Sequence, residues 1–319
     1  MTNLSCLKSI CLHVTNRCNL NCSYCYARGP YWKGEMSKQM VQSLIDFAVT
    51  YKLKEVVWIG GEPSLYDMAF ISKMSKRLLE GGVKIVRLNT NAYDITPILK
   101  YLHPNNISFI NVSIDDLPSK TLVRDKKIWE SCKILLSMGY SLRVNVTISK
   151  LNKQYIEKIL TLINEELNPL EINIHGVSLA GNARKNNVEL APLEYLRVWK
   201  RLKRLYFYHK ISGPIIYKHK NDVSENDLIC VARNPLRLYV IPDGSAFSCP
   251  YLVLDASRKI ISRFFWNGKG FRERKQYTER YMEQKGCPIH SMYSQYNIPK
   301  NYITLCRYVK NNQSRLSVC

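Results

Sequence analysis

No apolar run in the 319-residue sequence approaches the roughly 20 residues that a membrane span requires. The opening stretch MTNLSCLKSICLHV also lacks a basic region followed by a long apolar segment, so neither a transmembrane helix nor a secretory signal is expected. Acidic side chains are scarce. Against 47 Lys and Arg there are 25 Asp and Glu, a net charge of +22, which would speed encounter with acidic partners such as nucleic acid, an acidic peptide or an acidic electron donor. The basic density peaks in WKRLKRLYFYHK (199–210) and between Arg263 and Lys285, where solvated helix faces account for it equally well. No low-complexity tract and no recognisable RNA-binding module is present, which argues against a nucleic-acid substrate. Cysteine, by contrast, is plentiful at eleven. In the cytoplasmic setting that the missing signal implies, such thiols are more readily metal ligands or buried groups than disulfides.

From residue 10 to about 210, short β-rich runs alternate with amphipathic stretches, the pattern of repeated βα units on a parallel sheet. Strands are expected at Ile10 to Val14, Glu55 to Ile59, Val83 to Leu88, Ile107 to Ser113, Leu142 to Ile148 and Leu170 to His175. Helices are expected after Ser37, a natural N-cap, and over 67–80, 94–102, 124–138, 153–166 and 192–208. Right-handed crossovers would curl six such units into part of a barrel, with chemistry at the C-terminal strand ends. The fold class is therefore α/β, a partial (β/α)6 TIM-like barrel over 1–210. A polar linker follows at 211–228, and a small α+β domain at 229–319 opens with a hairpin in LRLYVIPDGSAFSC.

Cys18, Cys22 and Cys25 fall just past the first expected strand, in NRCNLNCSYCY. A disulfide needs two thiols and structural zinc usually four. Three thiolates can instead hold three irons of a cubane cluster and leave the fourth iron to a non-protein ligand. The C-x3-C-x2-C spacing, with Tyr24 before its last cysteine, resembles the signature of the radical S-adenosylmethionine (radical SAM) superfamily. The resemblance implies a [4Fe-4S] cluster that binds SAM and cleaves it to methionine and a 5′-deoxyadenosyl radical. A zinc knuckle is the alternative. Gly60, Gly61, Glu62 and Pro63, at the end of the second strand, look like the family's GGEP motif. There the glycines would let the backbone approach a ligand, and the carboxylate would meet the SAM amino group. Asn91 in LNTNA, Ser113 and Asp115 in NVSIDD, and Asn145 in RVNVTIS resemble the polar groups that the family turns towards SAM. Asn91 and Asp115 could equally cap the next helix. VSLAGNA (177–183) is similar in position to the family's closing SAM-binding loop.

Cys230, Gly244 and Cys249 form a C-x13-G-x4-C arrangement that resembles the opening of SPASM and twitch domains, which hold auxiliary iron-sulfur clusters. The dense C-x2-C-x5-C-x3-C block of a full SPASM domain is missing. Cys287 and Cys306 would complete one auxiliary [4Fe-4S] cluster. His290 is an alternative fourth ligand, and an open iron remains another. Cys6, Cys11 and Cys132 read as buried thiols, and Cys319 is the last residue.

The two-module layout is frequent among family members that mature ribosomally made peptides. A precursor peptide, acidic to suit the basic surface, is therefore the expected substrate, giving a thioether or carbon-carbon crosslink or an epimerised residue. A flavodoxin or ferredoxin would supply electrons. The chain begins almost at the first strand, which leaves leader recognition to the core or to a separate protein. Alternatives are dehydrogenation of a small alcohol or sugar, oxidation of a serine or cysteine in another protein, a nucleic-acid modifying enzyme, and a non-catalytic metal-binding protein.

Overall fold

Strand β1 (Ser9–Thr15) is buried along its whole length and is the strand from which the sheet is built outward in both directions. The computed structural model describes residues 4, 7–25, 34–118, 123–177, 182–212, 228–230, 236–249, 262–276 and 308–310. β2 (Glu55–Gly60), β3 (Ile85–Thr90), β4 (Phe109–Ser113), β5 (Leu142–Ile148), β6 (Glu171–Gly176) and β7 (Ile211–Ser212) follow in order, every neighbouring pair parallel. Between them lie α1 (Lys38–Thr50), α2 (Met68–Glu80), α3 (Thr96–Tyr101), α4 (Val123–Ser137), α5 (Ile156–Leu162), α6 (Asn182–Asn186) and α7 (Pro192–Leu202). The partial (β/α)6 barrel is thus present. β7 pairs with β6 where the linker was expected to begin.

The helices form where local chemistry asks for them. Ser37 accepts a hydrogen bond from the Met40 N–H at 3.1 Å, and Asp67 accepts one from Phe70 N–H at 2.9 Å, so α1 and α2 each begin on a side-chain cap. Val41, Leu44, Ile45 and Ala48 of α1 repeat at helical spacing and are buried. α5 runs directly into a π-helical turn at Ile163–Leu167 that stops at Asn168 in the left-handed region.

Parallel strands covered on both faces read as continuous apolar runs. Here they alternate. Val86, Leu88, Ile110, Val112, Val144, Val146, Ile172 and Ile174 belong to the core shared with the helices. The intervening residues are Arg87, Asn89, Asn111, Arg143, Asn145, Glu171 and Asn173, in register across neighbouring strands. One face of the sheet buries the core; the other is polar and largely half-buried.

The C-terminal strands do not stand apart from this sheet. β9 (Arg237–Val240) pairs parallel with β1, and β10 (Ser245–Phe247), β11 (Phe264–Trp266) and β12 (Phe271–Glu273) continue antiparallel, giving eleven strands in one sheet. The expected hairpin is β9 and β10, turned at Gly244 with φ +86°. Phe271 and Trp266 pack on Phe47 of α1 with ring centroids 5.3 and 5.4 Å apart. At the start of the strands Glu55 lies between Arg87, 2.7 Å away, and Arg237, which also donates to Ser9 Oγ at 2.7 Å. Burial alone would raise the Glu55 pKa, but the two guanidinium groups outweigh it and hold the carboxyl below its ordinary range. A separate two-stranded sheet pairs β8 (Leu228–Cys230) with β13 (Tyr308–Lys310).

Because the folded pKa of Glu55 is depressed, the stability it confers is present above the usual carboxylate pKa and is lost as pH falls through the lowered value. Arg237→Ala should cost about 1–3 kcal/mol in urea unfolding and should move acid unfolding to higher pH. Denaturation monitored at several pH values checks both.

Candidate active site

The expected site residues of the barrel lie at the C-terminal ends of its strands or on the loops that leave them, except Asn145, which sits at the middle of β5. Cys18, Cys22, Tyr24 and Cys25 lie on the loop after β1, Gly60 ends β2, and Pro63 opens the 3-10 turn Pro63–Leu65. Asn91 follows β3, Ser113 ends β4, Asp115 lies two residues beyond it, and Asn145 is on β5. Cys18, Cys22 and Cys25 form no disulfide and are half-buried, whereas Cys11, Cys132 and Cys249 are buried.

Residues 16–25 of the cysteine loop form no strand or helix, so their shape comes from what grips them. At its root, Gly61 N–H donates to Thr15 O at 2.8 Å and Glu62 N–H to Arg17 O at 2.7 Å. A Cβ on Gly60 would sit 2.2 Å from Thr15 O, and one on Gly61 would sit 2.2 Å from Arg17 O; Gly60 also has φ +154°. The glycine pair therefore makes room for the chain's own β1 extension.

Glu62 is buried, and both carboxylate oxygens are occupied within the chain. Oε1 accepts from Ser64 N–H at 3.0 Å and Thr90 Oγ1 at 2.8 Å, and Oε2 accepts from Asn91 N–H at 2.7 Å. Burial raises its pKa and these donors oppose the rise. The carboxylate ties the end of β2 to the end of β3 and so places Asn91. The Asn91 amide then donates to Asn19 Oδ1 at 2.8 Å and approaches Cys18 Sγ at 3.8 Å. Cys18 Sγ also accepts from Leu20 N–H at 3.5 Å.

A second grip comes from β4 and β5. The Tyr24 hydroxyl donates to Asp115 Oδ2, and Asp115 Oδ1 accepts from Thr147 N–H. Burial pushes the Asp115 carboxyl up to about 6, with the Tyr24 and Thr147 donors opposing. Burial also raises the Cys22 thiol, and the Tyr24 hydroxyl works against it. Neither Asn91 nor Asp115 caps a helix; both are spent on the cysteine loop and the neighbouring strand ends.

A third grip was not anticipated as such. Asn182 and Asn186 of α6 reach the loop's carbonyls, and Tyr24 packs on Val177, Ala183 and Val188. VSLAGNARKNN carried the only advance sign of it, an amide-rich run after a strand. His13, buried in β1 with its pKa pushed down to about 3 by desolvation, is a neutral imidazole that sequence reading also passed over.

Two of the auxiliary cysteines are among the described residues. Cys249 lies just after β10 in the large sheet, and Cys230 is in β8, opposite Tyr308 in the small one. Cys6, Cys287, His290, Cys306 and Cys319 lie outside the described residues. Among the described residues no three His, Cys, Asp or Glu side chains converge closely enough for a single metal ion. The thiolates of a cubane bind separate irons and are spaced more widely than the ligands of one ion, so this does not count against a cluster.

Residues 12–163 match the profile of the Radical SAM superfamily. The chain carries a radical SAM domain. Such a domain takes a [4Fe-4S] cluster and SAM, and the half-open trio of thiols, one with two N–H groups on its sulfur, fits that demand. Among solved structures, SuiB of Streptococcus suis bound to its precursor peptide SuiA is similar, with a TM-score of 0.61 at 13% identity, over 77% of this chain and 60% of that one. The chain thus spans less than two thirds of SuiB. anSMEcpe with bound AdoMet and a peptide gives a TM-score of 0.60 at 15% identity, over 88% and 82%. These likenesses show the radical SAM fold.

Curated relatives that match by sequence carry a different kind of name. A probable GTP 3′,8-cyclase of Saccharolobus islandicus is 24% identical over 265 residues, 77% of this chain and 83% of that protein. One of Methanococcus aeolicus is 26% identical over 224 residues, 66% and 68%. The expectation of a peptide maturase is therefore corrected. The relatives that match by sequence are named for action on GTP, and the peptide-binding structures match only at a level that shows fold. The physical reason is that the quoted motifs are of the kind that hold a cofactor, and a cofactor motif carries no information about the substrate. No helix among the described residues is long and apolar enough to cross a membrane.

Gly61→Ala would drive a methyl group into Arg17 O and displace the root of the cysteine loop. Iron and sulfide per chain after anaerobic reconstitution should fall well below wild type, while the far-ultraviolet circular dichroism stays that of the barrel.

Proposed function

We propose that this radical SAM enzyme acts on a purine nucleoside triphosphate of the GTP class, with Cys18, Cys22 and Cys25 holding its SAM-binding cluster. The observation that carries the reading is a loop of three half-buried thiols at the barrel mouth, gripped by the ends of strands β2 to β6. The substrate class rests on the names of the curated relatives, which match over most of their length. A net charge of +22 suits a polyanionic substrate, and the neutral amides on the polar face of the sheet suit its base and sugar.

A reduced [4Fe-4S] cluster held by Cys18, Cys22 and Cys25 would supply, with SAM, one-electron chemistry: reductive cleavage of SAM to methionine and a 5′-deoxyadenosyl radical able to take a hydrogen atom from substrate. The protein's part is binding and aim. Glu62 sets Asn91 against Cys18 and Asn19, which leaves its backbone and that of Pro63, rather than its occupied carboxylate, to face a ligand. Asp115 and Tyr24 hold the far side of the loop, and Ser113 and Asn145, side by side in register, present polar groups to the SAM ribose. Cys230, Cys249, Cys287 and Cys306 are assigned to one auxiliary cluster in a C-terminal domain over 229–319, beyond a core at 1–210 and a linker at 211–228. The electron comes from a reduced flavodoxin or ferredoxin in the cytoplasm.

Anaerobic enzyme with dithionite, SAM and deuterated GTP should form 5′-deoxyadenosine that carries deuterium, and Cys22→Ala should reduce this to background. Unlabelled 5′-deoxyadenosine at a rate indifferent to GTP would reject the substrate. A wild-type chain that takes up no iron would reject the cluster site.

A further inference from the structure

α6 is five residues long, yet both of its asparagines are spent on the cysteine loop. The Asn182 backbone N–H donates to Cys25 O at 2.9 Å. The Asn182 side-chain amide donates to Cys22 O at 3.0 Å and to Asn21 Oδ1 at 3.1 Å. Asn186 Nδ2 donates to Ser23 O at 2.9 Å. The carbonyls of Cys22, Ser23 and Cys25 are therefore all held by one short helix about 160 residues further along the chain. Those of Cys22 and Cys25 belong to two of the three thiol-bearing residues. Within the loop the same turn is also restrained by Cys25 N–H to Cys22 O at 3.2 Å and by the Tyr24 hydroxyl on the Cys22 sulfur.

A side chain leaves its Cα in a direction set by the peptides on either side, so a carbonyl that is held fixes where the sulfur can point. Carbonyls in an irregular loop otherwise exchange between water and protein partners. We infer that Asn182 and Asn186 are positioning residues for the cluster, holding the Cys22 to Cys25 turn so that both sulfurs are presented in one geometry. The inference rests on the cluster reading above. α6 also follows the end of β6 and buries Tyr24 against Val177, Ala183 and Val188, so the residues that brace the ligands are tied to the strand end that borders the SAM side of the mouth.

The test uses the full chain, reconstituted anaerobically, and follows iron loss to a chelator together with the EPR spectrum of the reduced cluster with and without SAM. Asn182→Ala and Asn182→Asp remove the side-chain donor, the latter without changing shape. Both should lose iron on the order of tenfold faster, the scale of one or two net hydrogen bonds, and should show a broadened or diminished SAM-induced EPR change. Asn186→Ala should do so more weakly, and Asn186→Gln, which restores a donor at an exposed position, should recover the wild-type behaviour. Metal-free variants should melt with the wild type. Wild-type iron retention and EPR in all of these variants would overturn the inference. If metal-free Asn182→Ala melts early, the contact is a general structural one and the assignment of Asn182 is overturned. The Asn186 pair, whose side chain buries little, then decides alone. Failure of the cluster reading is distinct, since wild type itself would then hold no iron.

Discussion

A loop with no regular structure must present three thiols in a fixed arrangement while leaving them half-open, and the rest of the barrel mouth is arranged around that demand. A helix or strand would hold its own backbone polar groups, but this loop cannot, so other elements do it. Gly60 and Gly61 take the root, Glu62 and Asn91 take the first cysteine, Asp115 takes Tyr24, and α6 takes the carbonyls between the second and third cysteines. Several of these grips are hydrogen bonds between part-buried groups, where an unmade bond is costly. The loop's geometry is therefore as stiff as the sheet behind it.

That stiffness comes from the asymmetry of the sheet. One face of each central strand is apolar and is locked into the helices. The other keeps asparagines, arginines and a glutamate in register, facing away from the core. Six βα units are too few to close a barrel, and β1, which would otherwise expose an edge, is covered by β9 instead. The Glu55, Arg87 and Arg237 cluster secures this join at the opposite end of the strands from the thiols, so the C-terminal hairpin contributes to the floor of the barrel as well as to its own part of the chain.

The cofactor and the substrate differ in how legible they were. Holding iron through three thiolates needs a particular residue at particular spacings, and Cys18, Cys22 and Cys25 carry that demand openly. The polar face of the sheet, by contrast, is built from single side chains such as Asn89, Asn111 and Asn173, each on a different strand and anonymous in the sequence. A substrate class inferred from cofactor motifs was therefore inferred from the wrong residues, and the relatives named for GTP correct it.

What the sequence determined by itself was local: the six strands from their β-rich runs, the starts of α1 and α2 from Ser37 and Asp67, the β9–β10 turn from Pro-Asp-Gly, and the thiol trio from its spacing. Tertiary structure alone decided that the glycine pair yields to Thr15 and Arg17, that Glu62 is consumed within the chain, that Asn91 and Asp115 serve the loop instead of a helix, and that strands near residue 240 complete a sheet begun at residue 9. The reason is range. Caps, turns and strand runs are settled by neighbours within a few residues, whereas Tyr24 to Asp115, Asn182 to Cys22 and Arg237 to Glu55 join groups 91, 160 and 182 residues apart, and nothing in either segment announces a partner until the sheet has brought the two together.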